Sequence, residues 1–284
     1  MGKSKKRDVD VVIISDVHLG TYGCHAEELL RYLKSIRPKK LILNGDIIDI
    51  WQFSKRYWPK SHMHVVKHIT SLLTRNTKVI YLTGNHDEML RRFSGFRIGT
   101  FKIDNKAVLT IGHRKIWIFH GDVFDVTMKH SRWLAKLGAI GYDMLILINA
   151  FVNWWFARLG KEKISLSKRI KDRVKSAVKF INDFEKTAAD IAIDNHYDYV
   201  VCGHIHKPEI SEITTEKGKV IYMNSGDWVE NLTALECHDG VWSIYRYADD
   251  QSAQKMNLPS RIASERDDSE IFSDLVQQFL TLKK

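Results

Sequence analysis

The chain has 284 residues with 44 Lys and Arg against 34 Asp and Glu, a formal charge of +10. Lys3, Lys5, Lys6 and Arg7 supply +4 of it and Arg158 to Lys179, nine basic residues against Glu162 and Asp172, supplies +7, so the rest sums to −1; that excludes a uniformly basic nucleic-acid binder and makes nucleic acid an unexpected partner. At 44% hydrophobic residues disorder is excluded for most of the chain, and three cysteines without zinc-finger spacing exclude a closed disulfide framework and point to a reducing compartment.

The basic N-terminus runs into an apolar segment with neither the apolar region nor the cleavage site of a secretory signal, so a cytoplasmic location is expected. Val9 to Ser15 reads as a buried strand, Ala26 to Ile36 as a helix ended by Pro38, and Lys40 to Asn44 as a second strand. His62 to Leu73 reads as a helix and Lys78 to Leu82 as a third strand, giving alternating strand and helix. Ala107 to Ile111 and Lys115 to Phe119 flank Gly112-His113, a hairpin-like turn. From about Phe124 to Asn195 there is no strand signal. Ile170, Val174, Val178, Ile181, Phe184, Ala188 and Ile191 recur there at helical spacing, predicting a long amphipathic helix with a basic opposite face. Tyr197 to Cys202, Lys219 to Met223, Leu232 to Cys237 and Val241 to Tyr247 read as later strands, the last two joined by His238-Asp239-Gly240. A polar linker from Ala248 to Glu265 then precedes a helix marked by Ile271, Leu275, Phe279 and Leu282. The expected architecture is two sheets, one fed by crossover helices and one by hairpins.

Five short motifs each place a metal-ligand residue directly after an apolar strand, the edge at which open α/β sheets bind ligands. They are Asp16-Val17-His18, Gly45-Asp46 with Asp49 three residues on, Gly84-Asn85-His86-Asp87, His120-Gly121-Asp122, and Gly203-His204-Ile205-His206. In the first, alternate residues of an extended chain point the same way, so both side chains can reach one ion, and the last again has alternate residues on one side. Glycine beside four of them suits a tight turn and a close backbone approach to phosphate. Each motif alone is an ordinary strand-end turn; five in one chain specify a metal site. Asp87 and Asp122 read as groups that structure their loops. His62 and His64 precede a helix, and a surface role is expected for them.

In this order the motifs resemble the calcineurin-like metallophosphoesterase superfamily, and the likeness spans Asp16 to His206. The resemblance implies an α/β (α+β) two-sheet sandwich flanked by helices, and a two-metal centre. Asp16, His18 and His206 would hold the first metal and Asn85, His120 and His204 the second, with Asp46 bridging the two. His86 would be catalytic, stabilising charge or protonating the leaving oxygen, and Asp49 would orient it. Two ions about 3.5 to 4 Å apart acidify a shared water and stabilise both oxygens of an in-line displacement at phosphorus. The mixed imidazole, carboxylate and amide set suits Mn, Fe, Co or Zn better than Ca or Mg; the family resemblance puts Mn2+ first.

The spacing from Asp16 to Asp46, Asn85 and His120 grows in steps of 30, 39 and 35 residues, but His120 to His204 takes 84. The excess predicts a catalytic core over 1–123 and 196–250, a helical lid inserted over 124–195, and a linker with a terminal helix over 251–284. Within the insertion, Gly138 to Ala157 is apolar nearly all round. A spanning helix there would separate the motifs across a bilayer, and Asp143 near its centre would cost about 2.5 to 3.5 kcal/mol. Two further readings compete with it and are favoured over it, a buried core helix and a lid that lines an acyl pocket or dips into the membrane interface. The basic stretch that follows fits an interfacial helix on anionic lipid, or a solvated face. The plan, with a late Gly226-Asp227-Trp228, resembles the bacterial UDP-2,3-diacylglucosamine pyrophosphatase group, although His86 stands where that group usually has Arg. That resemblance implies hydrolysis of a nucleotide-linked lipid, with peripheral contact at the inner face of the plasma membrane. The alternatives are a soluble metallophosphatase or phosphodiesterase acting on nucleotides or phosphoproteins, and a non-catalytic membrane or nucleic-acid binder.

Overall fold

The computed structural model describes residues 6–51, 57–124 and 167–256, with side chains of the last segment described from Lys179 onward. The apolar stretch at Gly138 to Ala157, most of the expected lid and basic stretch, and the expected helix around Ile271 to Leu282 lie outside the described residues. Two compact units are distinguished, one built from 1–121 and 189–284 and the other from 122–188.

Among the described residues of the first unit, twelve strands form two mixed sheets. The larger runs β12-β11-β1-β2-β3-β5-β4 and the smaller β6-β7-β8-β10-β9, where β1 is Arg7–Ile14, β2 Ile36–Asn44, β3 Lys78–Leu82, β4 Arg97–Ile98, β5 Phe101–Asp104 and β6 Lys106–Ile111. The remaining strands are β7 Arg114–Phe119, β8 Tyr199–Cys202, β9 Glu209–Thr215, β10 Gly218–Asn224, β11 Thr233–His238 and β12 Val241–Arg246. Both sheets follow one plan. β1, β2, β3 and β5 pair in parallel in the larger and β7, β8 and β10 in the smaller, with antiparallel strands at the edges.

The core explains the layering. Central parallel strands are buried on both faces and read as continuous apolar runs, and Val11 to Ile14 are all buried. Alternate residues then serve opposite faces. Val11, Ile13, Ile42 and Leu82 cluster with Ile116, Ile118, Val201 and Met223 of the smaller sheet. Val12, Ile14, Leu41 and Val79 cluster with Leu29, Leu30, Leu33, Val65 and Leu72 from the helices α1 (Ala26–Ser35) and α2 (Lys60–Leu73). α1 is amphipathic, with Glu27 and Glu28 in its first turn and Lys34 in its last, each favourable to the helix dipole. The second unit contributes most of α3 (Ser167–Asp194), the long helix its periodicity predicts, with Phe184, Ala188 and Ala192 buried at four-residue intervals.

Three expectations need correction. The β11–β12 hairpin extends the larger sheet, because β11 pairs antiparallel with β1, and the smaller sheet is parallel at its centre. Pro38 lies inside β2, opposite Val9; the helix has already ended, with Ile36 extended at φ −120°. The chain does not leave the core at Ala248, since Gln251–Gln254 forms a helical turn that buries Ala253 completely.

Candidate metal centre

The parallel strands of both sheets deliver the motifs to one edge. Asp16 and His18 follow β1, Asp46 and Asp49 follow β2, Asn85 and His86 follow β3, His120 follows β7, and His204 and His206 follow β8. The loops after β1 and β2 continue to pair beyond their strands: Val17 N and His18 N donate to Asp46 O at 3.0 and 2.9 Å, and Leu19 N donates to Ile47 O at 2.9 Å. Gly203 N donates to His120 O at 2.9 Å, and Trp228 N to Asp16 O at 3.0 Å. Five of these residues hold left-handed backbone conformations: Asp16, His18, Asp46, His204 and His206 have φ between 52° and 65°. Non-glycine residues adopt that region rarely, and here it turns the side chains inward at the strand ends.

The side chains meet in three overlapping groups whose ligand atoms lie within 4.8 Å of one another: Asp16, His18 and His206; His18, Asp46 and His86; and Asp46, His120 and His204. The first and third coincide with the two ligand sets expected from the sequence, Asn85 aside. Asp16 Oδ1 is 3.1 Å from His206 Nε2, and Asp46 Oδ2 is 3.1 Å from His120 Nε2. Burial would raise the Asp16 carboxyl, but the imidazoles of His206 and His120 outweigh it and hold it at about 2. Asp46 is likewise held well below the usual carboxylate range, burial being outweighed by His120, His18 and His86. The converse holds for His206, where burial is outweighed by Asp16 and the ring is raised to about 9.

Several neighbours hold the ligands in place. His120 Nδ1 lies 2.9 Å from the carbonyl of Asn44, the arrangement in which a ligating histidine donates its second nitrogen and presents the first. Asn44 Nδ2 in turn donates to Phe119 O at 3.2 Å, joining the sheets. Asn224, at the end of β10, donates to Gly203 O at 2.8 Å, bracing the β8 loop from within the smaller sheet. His86 Nδ1 is 2.8 Å from Asp49 Oδ2, and the same oxygen lies 3.5 Å from His18 Nδ1. Asp49 is almost fully buried, while the exposed Trp51 lies beside His86 with ring centroids 4.9 Å apart.

Sequence reasoning placed Asp87 in a loop but missed how much it holds. Its carboxylate accepts from Ile47 N at 3.0 Å, Gly84 N at 2.6 Å and the Tyr81 hydroxyl at 2.5 Å, tying the β2 and β3 loops together. The available signal was an acid closing a glycine turn. Gly45 and Gly121 have the positive φ expected of tight turns, 81° and 121°, but two other motif glycines act differently. Gly84 and Gly203 serve close packing: a Cβ on Gly84 would stand 2.2 Å from Asp46 Oδ1, and one on Gly203 would stand 2.7 Å from Asp16 Oδ2. His62 is buried, not superficial; its Nδ1 accepts from Gly20 N at 2.9 Å, and burial lowers its pKa to about 4.

The donor set fits divalent cations. Two buried carboxylates sit among imidazoles, with no Lys or Arg ion pair to either among the described residues. Asn85 Oδ1 is buried and accepts no hydrogen bond. An unsatisfied buried acceptor is costly, and a cation would satisfy it.

The family model described as calcineurin-like phosphoesterase matches residues 9–208. A UDP-2,3-diacylglucosamine hydrolase of Blochmanniella pennsylvanica is 27% identical over 229 residues, covering 75% of this chain and 85% of that protein. Another of the same name, from Aeromonas salmonicida, is 24% identical over 263 residues, covering 89% and 95%. Among solved structures, the E. coli phosphoesterase Yfce superimposes with a TM-score of 0.43 at 14% identity, covering 84% of this chain and 93% of that one.

Proposed function

Because the chain belongs to the calcineurin-like phosphoesterase family, we propose that it is a dinuclear-metal hydrolase cleaving the phosphoanhydride of a nucleotide-linked lipid such as UDP-2,3-diacylglucosamine, at the cytoplasmic face of the membrane. The observation that carries the hydrolase reading is that Asp46 groups with His18 on one side and with His120 and His204 on the other, which supports a carboxylate standing between the two proposed ligand sets. Asp16, His18 and His206 would hold one cation, and Asn85, His120 and His204 the other. Mn2+ is the proposed metal. When bound, the pair supplies Lewis acidity toward the phosphoryl group and lowers the pKa of water.

The chain's own residues complete the chemistry. Asp49 fixes His86 through Nδ1, which leaves Nε2 as the ring nitrogen that serves substrate, as a donor to the departing oxygen. The buried carboxylates stay ionised, and the close packing of Gly84 against Asp46 and of Gly203 against Asp16 keeps them from relaxing, as Gly45 does for the His120 ring. The lipid assignment is supported by the name shared by the two relatives above and by the insertion between His120 and His204, read as a lid for acyl chains. Among the described residues no helix is long and apolar enough to cross a membrane. The second reading, a soluble phosphodiesterase or phosphatase for nucleotides or phosphoproteins, is favoured by His86 standing at the position usually held by Arg in the lipid-processing group.

The test is turnover by metal-depleted and Mn-reconstituted protein on UDP-2,3-diacylglucosamine and on a water-soluble aryl phosphodiester. Metal-dependent cleavage of the lipid is expected. Cleavage of the aryl ester alone would refute the lipid assignment, and metal-independent or absent turnover of both would refute the hydrolase.

A further inference from the structure

Beyond His86 and Asp87 the chain forms a short 3-10 helix, Glu88–Phe93, and turns into β4, the free edge of the larger sheet. Every residue from Arg92 to Gly99 is exposed. Within ten residues, Met89, Phe93, Phe96 and Ile98 are 51, 48, 49 and 64% exposed. Apolar residues scattered singly on a surface are ordinary, whereas four together make a patch that calls for an occupant.

The charges around it identify that occupant. From Met89 to Ile103 there are four basic residues and no Asp or Glu. Lys102 is paired with Asp104 at 2.7 Å and Arg91 reaches the carbonyl of Gly84 at 3.4 Å. Arg92 and Arg97 form no ion pair among the described residues, and Arg92 lies over the Phe93 ring, 5.8 Å from its centroid. The loop is also pinned: Phe96 N donates to Phe93 O at 2.9 Å, and Ile103 N to Phe96 O at 3.0 Å. β4 has two residues, too few to recruit a partner strand. Arg92 Nε donates to Met89 O at 3.0 Å, which holds the guanidinium at this edge. A fixed set of aromatic and aliphatic side chains rimmed by guanidinium groups without carboxylate partners among the described residues matches a surface that is anionic outside and apolar just beneath. Arg91 joins this edge to the Gly84 loop, so an occupant here would lie next to the metal centre.

We propose that the edge formed by Met89, Phe93, Phe96 and Ile98 with Arg92 and Arg97 docks the protein on an anionic lipid bilayer. The inference deepens the lipid-hydrolase reading and rests on it for its purpose. The full-length, Mn-loaded protein would be co-sedimented with phosphatidylcholine vesicles with and without phosphatidylglycerol. Wild type should bind the anionic vesicles, less so with added salt. F93S/F96S and R92Q/R97Q should each lose about tenfold or more in partitioning, while cleavage of a water-soluble aryl phosphodiester stays unchanged. Wild-type partitioning by both variants, whether another segment of the chain makes the contact or a protein partner covers the edge, overturns the proposal. So does an absence of vesicle binding by wild type. Vesicle binding lost in the variants without any lipid turnover by wild type would sustain the docking surface and refute the substrate.

Discussion

Gly84 separates the fold from the metal centre, because alanine at this position adds one methyl group in the space of the shared carboxylate. Its Cβ would lie 2.2 Å from Asp46 Oδ1, 2.7 Å from Asp46 N and 2.8 Å from His120 Cδ2. Ordinary contact begins near 3.4 Å, so the Asp46 oxygen or the Gly84 loop must retreat by about 1.2 Å. Neither side yields freely: Gly84 N is bonded to Asp87 at 2.6 Å, and Asp46 Oδ1 accepts from His86 N at 2.8 Å. Losing that charge-assisted bond costs about 1.5 to 3 kcal/mol, which a folded domain of this size survives. Functional groups tolerate about 0.5 Å of misplacement, and about 1 Å can cost a hundredfold in rate. Gly84→Ala should therefore keep its circular dichroism, bind less than two metals per chain by elemental analysis, and lose at least about a hundredfold in kcat. Gly112→Ala is the control. Unlike Gly84, Gly112 has a positive φ, 58°, and nothing lies within 4 Å of its Cβ position, so only about 1 to 2 kcal/mol of backbone strain is expected and no loss of metal. Full metal content and wild-type turnover in Gly84→Ala would refute the packing argument.

Three further outcomes are expected. Asp49→Asn should retain both metals but lower kcat by about ten- to a hundredfold with little change in KM, and shift the pH profile, because it acts through His86; an unchanged profile would show that Asp49 only fills space. Asp87→Asn cannot accept from Ile47 N, Gly84 N and Tyr81 as the carboxylate does, so urea unfolding should show a loss of about 2 to 3 kcal/mol, and a loss below about 0.5 kcal/mol would count against its bracing role. His62 is held neutral by burial, its pKa falling from 6.5 to about 4; the unfolded chain binds that proton first, so this stabilisation is present above about 6.5 and lost as pH falls toward 4. The full difference corresponds to about 3 kcal/mol, and His62→Asn, able to accept from Gly20 N, should flatten the stability slope in that window relative to wild type.

The ligand loops were legible in the sequence because buried parallel strands leave apolar runs, and a charged or imidazole residue directly after such a run stands out. Pro38 misled for a physical reason: proline does stop helices, but α1 had already stopped at Ser35 and proline needs only an unpaired N–H position to sit within a strand. β5 and β9 escaped notice because both are short and half-exposed, Phe101–Asp104 and Glu209–Thr215, and neither contains an apolar run. The placing of the β11–β12 hairpin depends on pairing between Val11 and Cys237, a contact across most of the chain that local pattern does not carry. His62 resembles any polar residue near a helix start; its burial follows from Tyr57 and Trp58 lying beside it.

The left-handed conformations at Asp16, His18, Asp46, His204 and His206 set stability against activity. Each costs on the order of 1 kcal/mol that glycine would not incur, and four of the five belong to the ligand pairs that the chain presents at alternate positions. Relaxing any of them to glycine releases strain and destroys a ligand in the same step. Random drift in this protein therefore runs downhill toward a sturdier, inert fold, and persistence of all five residues in a lineage would be a record of continuous selection for the chemistry.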